Sequence, residues 1–412
     1  MGLLRRRDFF LIFVAYALSH FGDYLALITL TLRVESVTDS GWAVAALLLT
    51  GLIPPVLLAP VVGVLVDRVE TVRLLTVTAL FQAAVAAALA VTPGVLPTLG
   101  LSFLLGTGVA ITQPALFALL PRAVGEDRTT QANAYLEVAR WGGAALGPVL
   151  AATITGAFGA STTLLANAAT FVLVAALVPL IRARRQSEAT TEEEEAIPPR
   201  AREGVRWLAA DPLLRLLVPI LGLMIVFAAA DNVAEVFFAK DVLGAGDAGY
   251  GVLISSWTVG MVIGSTATGR WARPSTLAAV TLVGAIVGGA AVALAAGTAM
   301  FPIAVAMFLV GGVANGAELV ALRSLLHHRV PDRVRGRAFA AYYGMVQGAQ
   351  IIALSVSGGL VEVLGARMTM LMAGIGTGAV GVLGAMLYLR IPAGVRGGGE
   401  VPSPARPWVT AS

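Results

Sequence analysis

The chain has 412 residues, of which 58% are hydrophobic and 13% charged, with a formal net charge of +4. Soluble domains carry about 25% charged residues, so this composition excludes a water-soluble enzyme and makes lipid the solvent for most of the chain. With no cysteine and three histidines, His20, His327 and His328, the inventory offers neither a disulfide framework nor a zinc or haem centre, and no metal or cofactor is expected.

In chain order, Arg5, Arg6 and Arg7 precede an apolar run that continues to Leu32 without a small-residue cleavage site, which reads as a retained first helix rather than a signal peptide. Apolar runs separated by polar or Gly/Pro breaks then predict spans at 9–32, 42–66, 74–91, 96–120, 130–158 and 162–181. A second group follows at 213–239, 248–268, 275–296, 302–325, 338–364 and 368–389. The expected fold is therefore all-α and membrane-embedded: twelve spans, as a bundle in 1–182, a linker in 183–212, a second bundle in 213–392 and a tail in 393–412. The linker contains the acid run Glu192 to Glu195 and an amphipathic segment around Val205 to Trp207, expected at the inner membrane surface.

With both termini inside, only Arg33, Lys240 and Arg367 fall in or beside outer loops, whereas the inner side holds most of the arginines. The pI of about 9.7 then follows from topology, and no nucleic-acid partner is needed to explain it. The orientation expected is N- and C-termini cytoplasmic, in an inner or plasma membrane, and the chain is expected to work as a monomer.

The halves are related. Arg7 precedes Asp23 as Arg215 precedes Asp231, at a shift of 208; Arg68 aligns with Arg270 at 202, and the stretch 119–128 with 325–334 at 206. A nearly constant offset is what two parallel six-helix repeats with small loop insertions produce.

The loop after the second span, Gly63-Val-Leu-Val-Asp67-Arg68, resembles the G-x-L-x-D-R signature of the major facilitator superfamily of secondary transporters, with Glu70, Thr71 and Val72 in place of the usual following glycine and basic pair. Pro114-Ala-Leu-Phe-Ala-Leu-Leu-Pro121, Lys240-Asp-Val-Leu-Gly244 with Gly249-Tyr-Gly-Val-Leu253, and Pro331-Asp-Arg-Val-Arg-Gly-Arg337 resemble the bacterial branch of enterobactin and macrolide exporters. In span five, Gly143-x-x-x-Gly147-Pro148 is similar to the superfamily's exporter motif, with Ala151 and Ala152 replacing a glycine pair. The resemblance implies two six-helix halves that rock about a midplane site. Physically, Asp67 and Arg68, with Gly63, Arg73, Arg335 and Arg337 nearby in this scheme, can latch the cytoplasmic face or can simply form a topology-setting charged loop. The Gly143/Gly147 pair, like Gly260/Gly264 and Gly284/Gly288, also suits ordinary close packing of helices.

A carboxylate at the centre of a spanning helix costs about 2.5–3.5 kcal/mol, so ionisable residues there are functional candidates. Asp23 lies about 21 Å along its helix from Phe9, and Asp231 occupies the matching place in span seven; the two are expected to face one another across a cavity and, with Glu318, to carry or gate protons. Glu137 and Arg140 share a helix face, where they either neutralise each other or line the cavity with His20, Tyr24, Trp141, Asn232 and Glu235. His20 is read either as a proton-sharing neighbour of Asp23 or as a packing residue. Tyr16, Trp257, Tyr342 and Tyr343 are further aromatic candidates for a substrate-tolerant wall or for interface anchors.

There is no P-loop, and the one lysine is Lys240, so ATP-driven transport is excluded. The expectation is a proton-coupled exporter of amphipathic small molecules, an antiporter. An importer or lysolipid transporter of the same fold, and a non-transporting sensor that signals through the linker, are the rivals. A membrane-embedded enzyme lacks a nucleophile and base together.

Overall fold

The structure, a computed structural model, describes residues 2–183 and 198–392; the side chains of Asp67, Thr130, 198–203, 332 and 333 are not among those described. The acid run at Glu192 to Glu195 and the tail 393–412 lie outside the described residues.

Hydrocarbon supplies no hydrogen bonds, so each backbone N–H and C=O must be satisfied within its own segment, which apolar sequence achieves as helix. All regular elements among the described residues are helical: α1 (Arg7–Thr38), α2 (Gly41–Arg68), α3 (Thr71–Val91), α4 (Val95–Val124), α5 (Thr129–Phe158), α6 (Ala160–Leu177), α7 (Pro198–Ala210), α8 (Pro212–Ala228), α9 (Asp231–Phe237), α10 (Gly246–Trp271), α11 (Leu277–Gly297), α12 (Phe301–Arg329) and α13 (Asp332–Arg390). Among the described residues, 11 helical stretches are long and apolar enough to cross a membrane, α8 and α9 counting as one. The last, α13, has 59 residues and one non-helical position, Gly365, at φ 77°, ψ 160°. That backbone geometry suits a residue without Cβ, and it falls where the sequence predicts a break between two spans.

Several helices outrun their predicted bounds. α1 continues past Leu32 to Thr38, carrying Arg33 and Glu35 within the helix. α5 runs unbroken through Pro148. Span seven, predicted as one run, is broken: α8 ends at Ala228, Ala229 and Ala230 form a turn, α9 follows, and a π-helical turn closes at Val242.

Residue contacts divide the chain into two compact units. The first is Met1–Glu193 with Val233–Thr258 and Leu354–Ala366; the second is Glu194–Asn232 with Val259–Ala353 and Arg367–Ser412. The first unit thus includes α9 from Val233 onward, the start of α10 and part of α13, while Asp231 and Asn232 belong to the second.

The first unit has a core of Phe9, Ile12, Tyr16, Leu119, Leu120 and Leu136 and their neighbours, while Leu57, Val61 and Leu146 are exposed, as lipid-facing side chains would be. In the second unit the amphipathic segment is α7: Trp207 and Leu208 are buried in a core with Leu213, Leu217 and Leu326, and Val205 is exposed. Gly260 and Gly264 bring α10 against the backbone carbonyls of Leu309 and Val313 on α12, and Gly284 brings α11 to within 2.8 Å of the Ala314 carbonyl, measured from where a Cβ would stand. Both G-x-x-x-G pairs are thus helix-packing seams.

One buried ion pair anchors α12 to the start of α8. Arg329 Nη1 donates to Asp211 Oδ2 at 3.0 Å, with side chains 7% and 2% exposed, and Asp211 Oδ1 accepts from the N–H groups of Leu213 and Leu214 at 2.8 and 3.0 Å, capping α8. Removing one partner of such a pair leaves a buried charge without its counterion. Asp211→Ala is expected to destabilise the protein by about 3–5 kcal/mol, read as a lower unfolding midpoint in detergent, and Asp211→Ala with Arg329→Leu to recover part of that loss.

Candidate functional site: polar side chains within the membrane helices

The first unit carries its polar residues on α1, α3, α4 and α5. Apolar neighbours set the helix faces, and the rare polar positions then meet one another. His20 is buried: its Nδ1–H donates to the Tyr16 carbonyl at 3.2 Å, and Nε2 accepts from the Gln113 amide at 3.4 Å. Its ring packs 4.0 Å from that of Tyr16. The imidazole therefore has both nitrogens occupied and makes no bond to Asp23, which lies one turn further on. Gln82, 1% exposed, accepts from Thr112 at 3.4 Å, and its amide nitrogen is buried with no hydrogen-bond partner. Tyr16, Ser19, His20, Gln82, Thr112 and Gln113 line a narrow cleft of the first unit whose remaining walls are apolar.

Asp23 has one fully buried carboxylate oxygen, Oδ1, with no hydrogen-bond partner. Glu137 is on α5; Arg140 donates to Glu137 Oε2 from Nη2 at 2.7 Å and from Nε at 3.1 Å, and its guanidinium lies 4.3 Å from the ring centroid of Trp141. Glu137 is half exposed, so the pair is a charge-neutral surface feature of α5 rather than a buried bridge. The glycines of the exporter-like motif pack α5 on α1: a Cβ on Gly143 would lie 3.2 Å from Phe21 N, and one on Gly147 would lie 2.6 Å from Tyr24 Cβ. Pro148 serves the other side, because its carbonyl would be 2.6 Å from a Cβ on Gly251 of α10.

At the Thr38 end of α1 the same unit holds a charged clasp that sequence reasoning missed. Lys240 Nζ lies 2.5 Å from Glu35 Oε2 and 3.4 Å from Asp247 Oδ1. Beside it, Ser40 donates to Glu362 at 2.6 Å, Tyr250 is hydrogen bonded to Thr31, and Trp42 covers Gly359. Glu235, on α9, is half-buried in this unit and interacts electrostatically with Tyr250. A signal was available, since the chain's one lysine sits in a predicted loop and needs an acid, but Glu35 was placed outside the first span.

In the second unit, Asp231 starts α9. Asp231 is buried, and the Asn232 amide donates to the Ala229 carbonyl at 3.1 Å across the helix break. Glu318 on α12 is hydrogen bonded to Asn315 and packs against Gly284. Arg323 makes no ion pair with it. Arg323 Nε is buried without a hydrogen-bond partner, and its guanidinium lies 5.8 Å from the Tyr343 centroid.

The signature loop is only partly described. The side chain of Asp67 lies outside the described residues; Arg68 and Arg73 are exposed, and Gly63 has open space where a Cβ would stand. Glu70, where the sequence departs from the signature, caps α3 by accepting from Val72 and Arg73 at 3.1 and 2.7 Å. Arg335 and Arg337 follow the start of α13, half-buried in the second unit, and the Arg337 carbonyl abuts Gly204 of α7.

Eleven membrane-capable helices with paired and unpaired charges inside them describe a multi-pass membrane protein, and comparison with known proteins decides its family. The sequence matches the Major Facilitator Superfamily over residues 12–342 and again over 232–412. The chain belongs to that superfamily. An uncharacterized transporter of this type, YfiS of Bacillus subtilis, is 24% identical over 367 residues, 87% of each chain. Among solved structures, a POT family transporter in complex with 5-aminolevulinic acid aligns with a TM-score of 0.75 at 11% identity, covering 94% of this chain and 97% of that one. A bacterial homologue of the human lysosomal transporter Spinster, inward-facing and unoccupied, gives 0.71 at 13% identity and covers 95% and 98%; the nucleoside transporter NupG gives 0.72 at 13%, covering 92% and 99%. The chain is a transporter of small molecules and not an enzyme.

The clasp region is open to a direct test, because the chain has no cysteine of its own. A Cβ on Gly41 would stand 2.6 Å from the Gly358 carbonyl and 3.0 Å from Val361 Cβ, so a cysteine there needs a small outward shift of α2, which also brings the two Cβ atoms toward the roughly 3.5–4.5 Å span of a disulfide. Gly41→Cys combined with Val361→Cys is expected to oxidise spontaneously, seen as loss of maleimide labelling that a reductant restores.

Proposed function

We propose that this transporter is a proton-coupled exporter of amphipathic small molecules, such as a drug, macrolide or siderophore, in the enterobactin and macrolide efflux branch. It works as a monomer of twelve spans in two six-helix bundles, 1–182 and 213–392, joined by a cytoplasmic linker, with both termini in the cytoplasm of a bacterial cell. Alternating access exposes a midplane site first to one side of the membrane and then to the other.

The observation that carries the reading is the buried carboxylate oxygen of Asp23, which has no hydrogen-bond partner among the described residues. A carboxylate that has no internal cation is the group a transported proton would neutralise, whereas Glu35, Glu137 and Asp211 already have cations at 2.5, 2.7 and 3.0 Å. Asp231, buried at the break in span seven, and Glu318, bonded to Asn315, are the second and third members of the proton path. Around them His20, Tyr24, Trp141, Asn232, Glu235 and the Glu137–Arg140 pair shape the substrate cavity. Asp67 and Arg68, with Gly63, Arg73, Arg335 and Arg337, latch the cytoplasmic face, and the Lys240 clasp with the Gly41 contact closes the outer one.

Vesicles or cells loaded with a panel of fluorescent amphipathic dyes test this directly. Wild type is expected to export at least one dye in a manner abolished by a proton uncoupler, and Asp23→Asn or Asp231→Asn to slow that export at least tenfold. Uncoupler-resistant export, or full activity in both variants, would reject the proton assignment.

A further inference from the structure

Several cations set within the described membrane helices have internal partners. Arg140 is paired with Glu137, Arg329 with Asp211 and Lys240 with Glu35. Arg33 donates to the carbonyls of Leu89 and Thr92, and Arg367 to that of Thr298. Arg323 differs: among the described residues it has no carboxylate partner, its Nε is buried without a hydrogen bond, and its guanidinium lies over the ring of Tyr343 at 5.8 Å. The nearest acid on the same helix, Glu318, is bonded to Asn315 and is five residues away, a spacing that turns the two side chains to different faces.

Position argues against simple escape to water. Arg323 is eight residues from Asn315, the midpoint of α12, hence about 12 Å along the axis, inside the roughly 15 Å half-thickness of a bilayer core. A side chain that reached outward for the headgroups would expose its guanidinium. Here the guanidinium is turned onto an aromatic face. Tyr343 is 41% exposed, whereas its neighbour Tyr342, ring centroid 5.2 Å away, is 4% exposed and within electrostatic reach of both Glu318 and Arg323. The cation thus faces the ring of Tyr343, which reaches the surface of the second unit, and the buried ring of Tyr342 lies beside that ring. Stacking leaves the edge of the guanidinium, with its fork of N–H donors, free for a planar or tetrahedral oxyanion.

We propose that Arg323, stacked on Tyr343, is an anion-binding residue that takes the carboxylate or phosphate of an amphipathic molecule. This rests on the transporter reading above and narrows it: the cargo carries an acidic group beside an apolar or aromatic body. The oxyanion has two sources, a free amphipathic acid or the phosphate of a phospholipid at the edge of the bilayer core.

Binding to purified full-length protein in a neutral maltoside detergent separates these possibilities. The probes are carboxyfluorescein, the cationic ester dye rhodamine 6G, and a fluorescent lysophosphatidylglycerol, each followed by polarisation. Arg323→Gln is expected to weaken an anionic probe at least tenfold while changing rhodamine 6G less than twofold; Arg323→Lys keeps part of the affinity, and Tyr343→Leu weakens the same probe several-fold. Loss confined to carboxyfluorescein identifies a free acid as cargo, and loss confined to the lysolipid identifies the phospholipid source. A purely structural arginine would instead make Arg323→Gln less heat-stable than wild type with unchanged anion affinity; the proposal expects equal or higher stability, because a costly cation has been removed. Equal affinity of wild type and Arg323→Gln for both anionic probes, or no binding of either by wild type, overturns it. Anion binding that depends on Arg323, with no dye export from vesicles, would keep this site and reject the exporter reading.

Discussion

In hydrocarbon an unpaired charge has no water to fall back on. That cost orders this chain more than any other interaction. Backbone groups meet it by forming helix, and side chains meet it by finding one another: Asp211 with Arg329, Glu35 with Lys240, Glu137 with Arg140. The apolar remainder packs without needing polarity, through glycine seams such as Gly260 and Gly264 on α12 and Gly143 and Gly147 on α1. Helix contact in lipid depends on such close approach, because apolar side chains gain little by leaving lipid for protein.

The same constraint separates scaffold from mechanism. A charge with a permanent internal partner holds helices in register and can do so indefinitely. A charge without one persists only if something else compensates it during the working cycle. Asp23 and Arg323 are two such groups among the described residues, one an acid in the first unit and the other a base in the second. On the function proposed above, a proton meets the need of the first and an anion that of the second.

The all-helical membrane fold and the superfamily were legible because they depend on one-dimensional quantities: apolar run length and short motifs such as Gly63 to Arg68. The sites were legible as residue types but not as pairs. Glu137 and Arg140 are three apart on one helix, so periodicity alone brings them together; Glu35 and Lys240 are 205 residues apart, and only packing does so. The role of His20 was open on the sequence because both readings fit a polar residue one turn from Asp23; its bonds to Tyr16 and Gln113 favour packing. The break of span seven at Ala229 and Ala230 gave no signal either, since neither alanine disfavours helix. What marks it is the pair of polar residues just after it, Asp231 and Asn232, the second of which donates to the Ala229 carbonyl at the turn.

The clasp has a chemical consequence that reaches beyond conformation. Lys240 is the one lysine side chain in the polypeptide, and it is already in contact with a carboxylate. A carbodiimide activates acids for attack by amines, so in the unmodified protein this residue offers the single side-chain amine through which an internal isopeptide bond can form. The wild-type chain therefore carries a built-in address for covalent stapling, with no residue replaced and no label introduced.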